Sequence, residues 1–355
     1  MPSLYVASTE PFVGKSALCA ALLEQFRRSG KRIGYMKPVS VTAAQTEAGA
    51  ADEDAQLMRR MFDLPDDPQQ IAPVLATPRV VEGVLRGDTP DFAAKVTAAH
   101  AAISADRDIV VLEGVNTWAE GALMGLSAIE VSAMLDAPVL LLNRYRTSLA
   151  ADTIVAVQHF LGDRLLGVVM NQVQPDHVAY VQATVVPFLE KRGVPVLGIL
   201  PTDTALEAIS VGDLAEHLGA QIVGVIGDQT RLVETLSVGA MSAESALQFF
   251  RRKPNKAVIT GGDRTDLQIA ALETSTSCLI LTGNLRPAQS VLARAEERNV
   301  PVLLTTDDTL SVVQRAEALL GRVRFGRGDQ VERFNRLVSD HLDMARLQQL
   351  LGLAG

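Results

Sequence analysis

The chain has 355 residues, with 33 Lys plus Arg against 41 Asp plus Glu and a formal charge of −8; without a long basic stretch, this argues against nucleic-acid binding as its main task. At roughly 150 residues per domain the length makes two to three domains, each able to bury a core without disulfide or metal staples. Hydrophobic residues at 48% and charged residues at 21% are globular proportions, which leave little place for long disordered tails.

In chain order, Leu4 to Ala7 opens as a short buried strand, and Ser16 to Arg28 follows as a helix with Leu18, Leu22, Leu23 and Phe26 on one stripe. Further apolar runs at 109–112, 138–142, 165–170 and 194–200 alternate with helical periods such as 178–191. Near-continuous apolarity in each run predicts a mostly parallel sheet covered on both faces, so the first part is a doubly wound α/β domain. One more apolar run, 222–226, closes this pattern, and the sequence restarts. Strands at 257–260, 278–282 and 300–304, separated by helices near 264–273, 286–298 and 309–320, predict a smaller α/β unit. The tail places Val331, Phe334, Leu337, Val338, Leu342, Ala345 and Leu350 or Leu351 at helical spacing, which suits docking of an apolar stripe. The expected division is therefore 1–222, 223–325 and a C-terminal helix over 326–355.

Cys19 and Cys278 are far apart, and His100, His159, His177, His217 and His341 form no cluster, which speaks against a disulfide scaffold or a His/Cys metal site. The first residues carry no basic region ahead of an apolar run, and no apolar stretch approaches the ~20 residues needed to span a bilayer. A cytoplasmic protein with no membrane partner is the expectation.

The strongest local chemistry is Ser8-Thr9-Glu10-Pro11-Phe12-Val13-Gly14-Lys15-Ser16, set between the opening strand and its helix. Free N–H groups and the dipole at the helix start favour phosphate there; Lys15 suits phosphate oxygens, and Ser16 suits Mg²⁺. Thr9 stands where the strict phosphate-loop pattern has glycine, and a capped helix after a turn is the plainer alternative. Asp108 to Gly114 is a strand ending in Glu113 at the carboxyl edge, where open α/β sheets bind ligands and where a carboxylate can hold Mg²⁺. A solvated strand-end acid is its alternative. Lys37 follows Ile33 to Met36 at the same edge, or else is a surface lysine. Asp52, Glu53 and Asp54 form an acidic cluster suited to a helix start, with Asp54 the candidate metal ligand.

Val13-Gly14-Lys15-Ser16, Lys37-Pro38-Val39, Asp54, Glu113-Gly114 and Val169-Met170-Asn171 resemble, in order and at similar spacing, the dethiobiotin synthetase family of P-loop proteins. The resemblance implies that Val13, Gly14, Lys15 and Ser16 hold ATP and that Lys15 and Lys37 act on phosphate and a carbamate. It further implies that Ser16, Asp54 and Glu113 surround Mg²⁺, and that Asn171 recognises adenine. Three features differ: Ser8 replaces the family's first loop glycine, Pro11-Phe12 replaces Thr-Glu, and Val115-Asn116-Thr117-Trp118 replaces a run of small residues.

Ala257 to Asp266, with Thr260-Gly261-Gly262-Asp263-Arg264, and Leu279 to Asn284 resemble the DRTGG domain. The turn at Thr260 to Asp263 suits either an anion cradle with Arg264 beside it or a tight turn with Asp263 as helix cap. A synthetase-like domain followed by a DRTGG domain resembles the N-terminal region of bacterial phosphotransacetylases, with no room for the acyltransferase domain. These likenesses imply a nucleotide-sensing regulatory module that binds Mg-ATP. Its partners would be a small metabolite at the DRTGG domain, a separate acyltransferase and a second copy of the chain. The alternative is an ATP-dependent carbon–nitrogen ligase that phosphorylates a carboxylate or carbamate.

Overall fold

The computed structural model describes residues 2–353 except 42, 47, 48, 89, 225, 226, 318 and 320–327. Its described residues fall into two compact units, Met1–Thr202 with Arg324–Gly355, and Asp203–Val323.

The first unit is built on β1 (Ser3–Ser8), α1 (Lys15–Arg28), β2 (Ile33–Met36), α2 (Glu53–Met61), α3 (Phe92–Ser104), β3 (Ile109–Glu113), β4 (Val139–Arg144), α4 (Ala150–Leu161), β5 (Leu165–Val173) and β6 (Val196–Pro201). Six strands pair in the order β6-β5-β4-β1-β3-β2, all parallel. Every residue of β1, β2 and β3 is buried, as continuous apolar runs require when helices cover both faces. From β1 the chain builds β2 and β3 on one side and β4 to β6 on the other, so the loop after β1 lies at the topological switch point. Register sets Val6 opposite both Glu113 and Leu140, which brings the ends of three strands to one edge.

Helix α1 buries Ala17, Leu18, Cys19, Ala20, Ala21, Leu22, Leu23 and Phe26, more than one stripe. The tail explains this, because residues 328–341 pack against α1. Phe334, Val338 and Leu342 are buried as the spacing predicts, and of Leu350 and Leu351 it is Leu351 that is buried, but Ala345 is exposed and Leu347 turns inward instead. The single expected helix breaks: Leu342 bridges Gly198 of β6, and Asp343 caps a new helix, Met344–Leu350, through the Arg346 N–H at 2.9 Å. The cap resets the helical phase, so a different face turns inward.

The second unit contains α5 (Val211–Leu218), β7 (Gln221–Val223), β8 (Thr235–Val238), α6 (Ala243–Arg252), β9 (Lys256–Gly261), α7 (Thr265–Leu272), β10 (Thr276–Thr282), α8 (Gln289–Glu297), β11 (Val302–Leu304) and α9 (Thr309–Glu317). Its sheet runs β7-β11-β10-β9-β8, parallel except for β7. Alternation divides its core. Ala257, Ile259, Cys278, Ile280 and Leu303 pack on α5 and α9, and Val258, Leu279, Leu281 and Val302 on α6, α7 and α8. Ile222 and Val223, read in the sequence as closing the first pattern, instead pair antiparallel with Leu303 and Val302. An apolar run states that it is buried but not which sheet receives it. Val225 and Ile226 of the same run lie outside the described residues. Among the described residues, no helix is long and apolar enough to cross a membrane.

Lys256 is wholly buried at the start of β9. Its Nζ donates to Lys253 O at 3.2 Å, Thr274 Oγ1 at 2.9 Å and Ser275 O at 2.8 Å, with the Phe250 ring centroid 5.7 Å away. These oxygens lie at the carboxyl ends of α6 and α7, where helix dipoles favour a cation. Burial nevertheless pulls the ammonium from its ordinary 10.5 down to about 8. Between those values the unfolded chain binds the proton that the folded unit has released, so this residue's contribution makes stability rise with pH. We expect the stability of the parent relative to Lys256→Met, read from urea unfolding at pH 7.5, 9 and 10.5, to increase along that series. A flat difference would show that the buried ammonium does not titrate in this range.

Candidate functional site

The loop between β1 and α1 closes around Gly14, whose φ of 90° lies in the left-handed region that glycine enters without strain. Phe12 also has positive φ, at 59°, and is held there by the Arg144 guanidinium, which donates to its carbonyl at 3.0 Å. Gly14 caps α1 without a side-chain hydrogen bond, and the first turn carries no acid. The 14-residue helix therefore presents its free N–H groups and dipole unopposed. Lys15 is half-buried at its first position, and among the described residues no carboxylate lies within ion-pair distance of it.

Glu113, at the end of β3, is 1% exposed and joins the elements of the site. Ser16 Oγ donates to its Oε1 at 2.7 Å, and Tyr35 Oη donates to its Oε2 at 2.8 Å. Lys37 Nζ stands 4.0 Å from Oε1. Tyr35 remains a neutral donor, since burial and then the Glu113 charge hold its phenol well above the ordinary range. The solvated-acid reading of Glu113 is thus replaced by a buried junction of loop, strand and lysine.

Lys37 is buried rather than a surface residue, and three carboxylates surround it: Asp52 at 2.8 Å, Asp54 at 3.5 Å and Glu113 at 4.0 Å. Burial opposes its charge, but Glu113, Asp52 and Asp54 more than offset this and push its pKa above the usual lysine value. Asp54, in the first turn of α2, keeps a 42% exposed side chain. Burial, followed by the like charge of Glu113, raises its pKa.

Asp52 is the site residue that the sequence reading passed over. It is the N-cap of α2, accepting the Ala55 N–H at 2.7 Å, and it also accepts from Lys37 and from Ser40 Oγ. Its signal was present as an acid before an apolar-periodic helix, but a cap position does not show that a distant lysine shares the same carboxylate.

Asn171 stands on β5, where its Nδ2 donates to Val13 O at 2.7 Å and its Oδ1 accepts the Gln172 N–H at 2.8 Å. The asparagine thereby fastens the phosphate loop from across the sheet. Asn143 makes a similar tie from β4, donating to Thr9 Oγ1 at 3.2 Å. Trp118, the lone tryptophan, donates its backbone N–H to Ser8 O at 2.8 Å, and its ring packs on Phe160 with the ring centroids 5.2 Å apart. The chosen residues thus fall into two linked groups: Val13, Gly14, Lys15 and Ser16 on the loop with Asn171 bonded to Val13, and Lys37, Asp54 and Glu113, of which Glu113 bonds Ser16.

In the second unit the Thr260 to Asp263 turn is not open. A Cβ on Gly262 would lie 1.7 Å from the Leu285 carbonyl oxygen, so that carbonyl covers the turn. The helix cap is Arg264, without a side-chain bond, rather than Asp263. Arg264 spends its guanidinium on Asp266 and on Met241 O. Gly262 therefore serves close backbone approach.

Residues 2–210 match a family described as an AAA domain, and residues 213–319 match the DRTGG domain. The phosphate acetyltransferase of Pseudomonas aeruginosa is 24% identical over 379 aligned residues, which cover 99% of this chain and 52% of that protein. The phosphate acetyltransferase of Synechocystis sp. is 24% identical, covering 89% and 47%. The chain spans about half the length of these curated relatives. Among solved structures, the CBS and DRTGG domains of the regulatory region of Clostridium perfringens pyrophosphatase, complexed with its activator diadenosine tetraphosphate, have a TM-score of 0.31. Identity is 21%, with 48% of this chain and 84% of that one covered. The cell division protein MinD of Aquifex aeolicus has a TM-score of 0.35 at 16% identity, covering 58% and 84%.

Proposed function

Because the chain belongs to the AAA domain family over residues 2–210 and continues into a DRTGG domain, we propose that it is a nucleotide-sensing regulatory module related to the N-terminal region of phosphotransacetylase, with Mg-ATP as its nucleotide. The observation that carries this reading is the Ser16–Glu113 hydrogen bond of 2.7 Å beside Lys15 at the start of α1. A hydroxyl, a carboxylate, a lysine and unopposed helix N–H groups meet there, which is the donor set for phosphate and its cation. Mg²⁺ fits that set, since its donors are hard oxygens: Ser16 Oγ and Glu113, with the partly exposed Asp54 carboxylate 3.5 Å from Lys37 Nζ. When bound, Mg²⁺ would neutralise phosphate charge, while Lys15 orients the phosphates. Adenine recognition by Asn171 requires its second Nδ2 hydrogen, because the first is given to Val13 O.

Regulation is favoured over ligation because Lys37, the second lysine that the ligase needs, is paired with Asp52 at 2.8 Å. The DRTGG domain is then the element that senses a small metabolite, and acetyl transfer is the activity regulated. A separate acyltransferase and a second copy of the chain are the protein partners of this reading. A second reading, the ATP-dependent carbon–nitrogen ligase, is favoured by the convergence of Lys37, Asp54 and Glu113 on one spot.

Steady-state ADP release with Mg-ATP, with and without bicarbonate plus a diamino acid, separates them. We expect Trp118 fluorescence to report Mg-ATP binding while turnover stays negligible and unresponsive to those substrates. Turnover that they stimulate and that Lys15→Ala abolishes would establish the ligase instead.

A further inference from the structure

We propose that Asp52 is a built-in competitor of nucleotide phosphate for Lys37, a positioning residue that holds the second lysine back and lowers the affinity of the site. This rests on the nucleotide-binding reading above and adds how the site is regulated. Of the three carboxylates around Lys37, the closest is Asp52 at 2.8 Å, against 3.5 Å for Asp54 and 4.0 Å for Glu113, and it is Glu113 that takes the hydroxyls of Ser16 and Tyr35. The Asp52 side chain is fully buried and that of Lys37 is 6% exposed, so water does not weaken their attraction. The carboxylate is itself fixed, by the Ala55 N–H at 2.7 Å on one oxygen and by Ser40 Oγ on the other. It therefore cannot follow the ammonium if Lys37 turns toward another anion.

The competing position is close. Glu113 Oε1 lies 4.0 Å from Lys37 Nζ and 2.7 Å from Ser16 Oγ, so one carboxylate oxygen separates the lysine from the start of α1. A phosphate seated at that helix start draws on the Lys37 charge, but releasing it takes the ammonium away from a fully buried carboxylate that it meets at 2.8 Å, which is costly. That cost is subtracted from the phosphate's binding. A neutral side chain of the same shape at position 52 removes the competitor and keeps the helix cap, because Asn and Ser cap as well as Asp.

The test is a double-mutant cycle on Mg-ATP affinity, read by Trp118 fluorescence, in the full chain. We expect Asp52→Asn to tighten Mg-ATP binding about tenfold, as removal of a buried competing charge pair implies. In a Lys37→Met background the same substitution should change affinity less than twofold. Asp52→Ser, which keeps a capping oxygen, serves as the second variant if Asp52→Asn does not fold, with the same expected direction. A purely structural role predicts weaker binding or none. Unchanged or weaker binding in a folded variant overturns the proposal, and so does equal tightening in both backgrounds, which would reflect only the general field of the charge. Lys15→Ala separates this failure from failure of the nucleotide reading. If Lys15-dependent binding is present but Asp52→Asn does not tighten it, only the competitor falls; if no variant shows Lys15-dependent binding, the nucleotide reading falls and the competitor with it.

Discussion

Lys15→Ala should weaken Mg-ATP binding about a hundredfold while leaving the unfolding midpoint of the chain nearly unchanged. Lys15 is half-buried at the first position of α1, so deleting its ammonium disturbs little of the packing. It also removes a cation from the spot where the helix dipole, the loop N–H groups and the Ser16 hydroxyl converge. Loss of a charge-assisted contact to phosphate is worth about 1.5–3 kcal/mol, and a hundredfold change in affinity sits near the upper end of that range. Trp118 fluorescence titration checks the affinity, and urea unfolding checks the fold. If the variant binds Mg-ATP as tightly as the parent, the phosphate site lies elsewhere.

Gly262→Ala should be among the most damaging single substitutions in the second unit, costing about 3 kcal/mol or more. The argument is steric. The added Cβ would lie 1.7 Å from the Leu285 carbonyl oxygen and 2.5 Å from its carbonyl carbon, and these are backbone atoms that cannot swing aside. Gly261 supplies the control, because its Cβ would meet the Asp263 carboxylate at 2.5 Å, the free end of a movable side chain. Gly261→Ala is therefore expected to cost much less. Urea unfolding of the two variants beside the parent checks the pair. Equal and small effects would show that the loop at Leu285 yields easily and that the turn is open to ligands after all.

The two substitutions probe features of different legibility. The phosphate loop is readable because its chemistry is local: a strand, a Gly-Lys-Ser turn and an apolar-periodic helix are neighbours along the chain. Lys37 and Glu113 were readable as strand-end charges at one edge, since apolar runs place them there. What each charge touches was not. Asp52 reads as one acid among three, and only folding shows that it caps α2 and takes the nearest place at Lys37. Asn171 reads as a base-recognition residue by family likeness, and only folding shows that its carboxamide also fastens Val13 of the loop from 158 residues away in sequence. Thr260 to Asp263 reads equally well as cradle or turn, and the choice depends on Leu285, outside the motif itself.

The same division holds for the fold. Sequence alone determined the α/β class, the parallel sheets and the stretches that form most of their strands, because burial on both faces leaves a continuous apolar run and helices leave a 3.6-residue period. It also determined which residues could carry phosphate chemistry, since side-chain type and position at a strand end are local facts. Tertiary structure decided which sheet receives Ile222, which face of the tail turns inward after the Asp343 cap, and which carboxylate neutralises Lys37. These outcomes depend on strand register and on the meeting of segments far apart in the chain. Burial of a charge beside its partner is a property of that meeting, and no periodicity along the sequence encodes it.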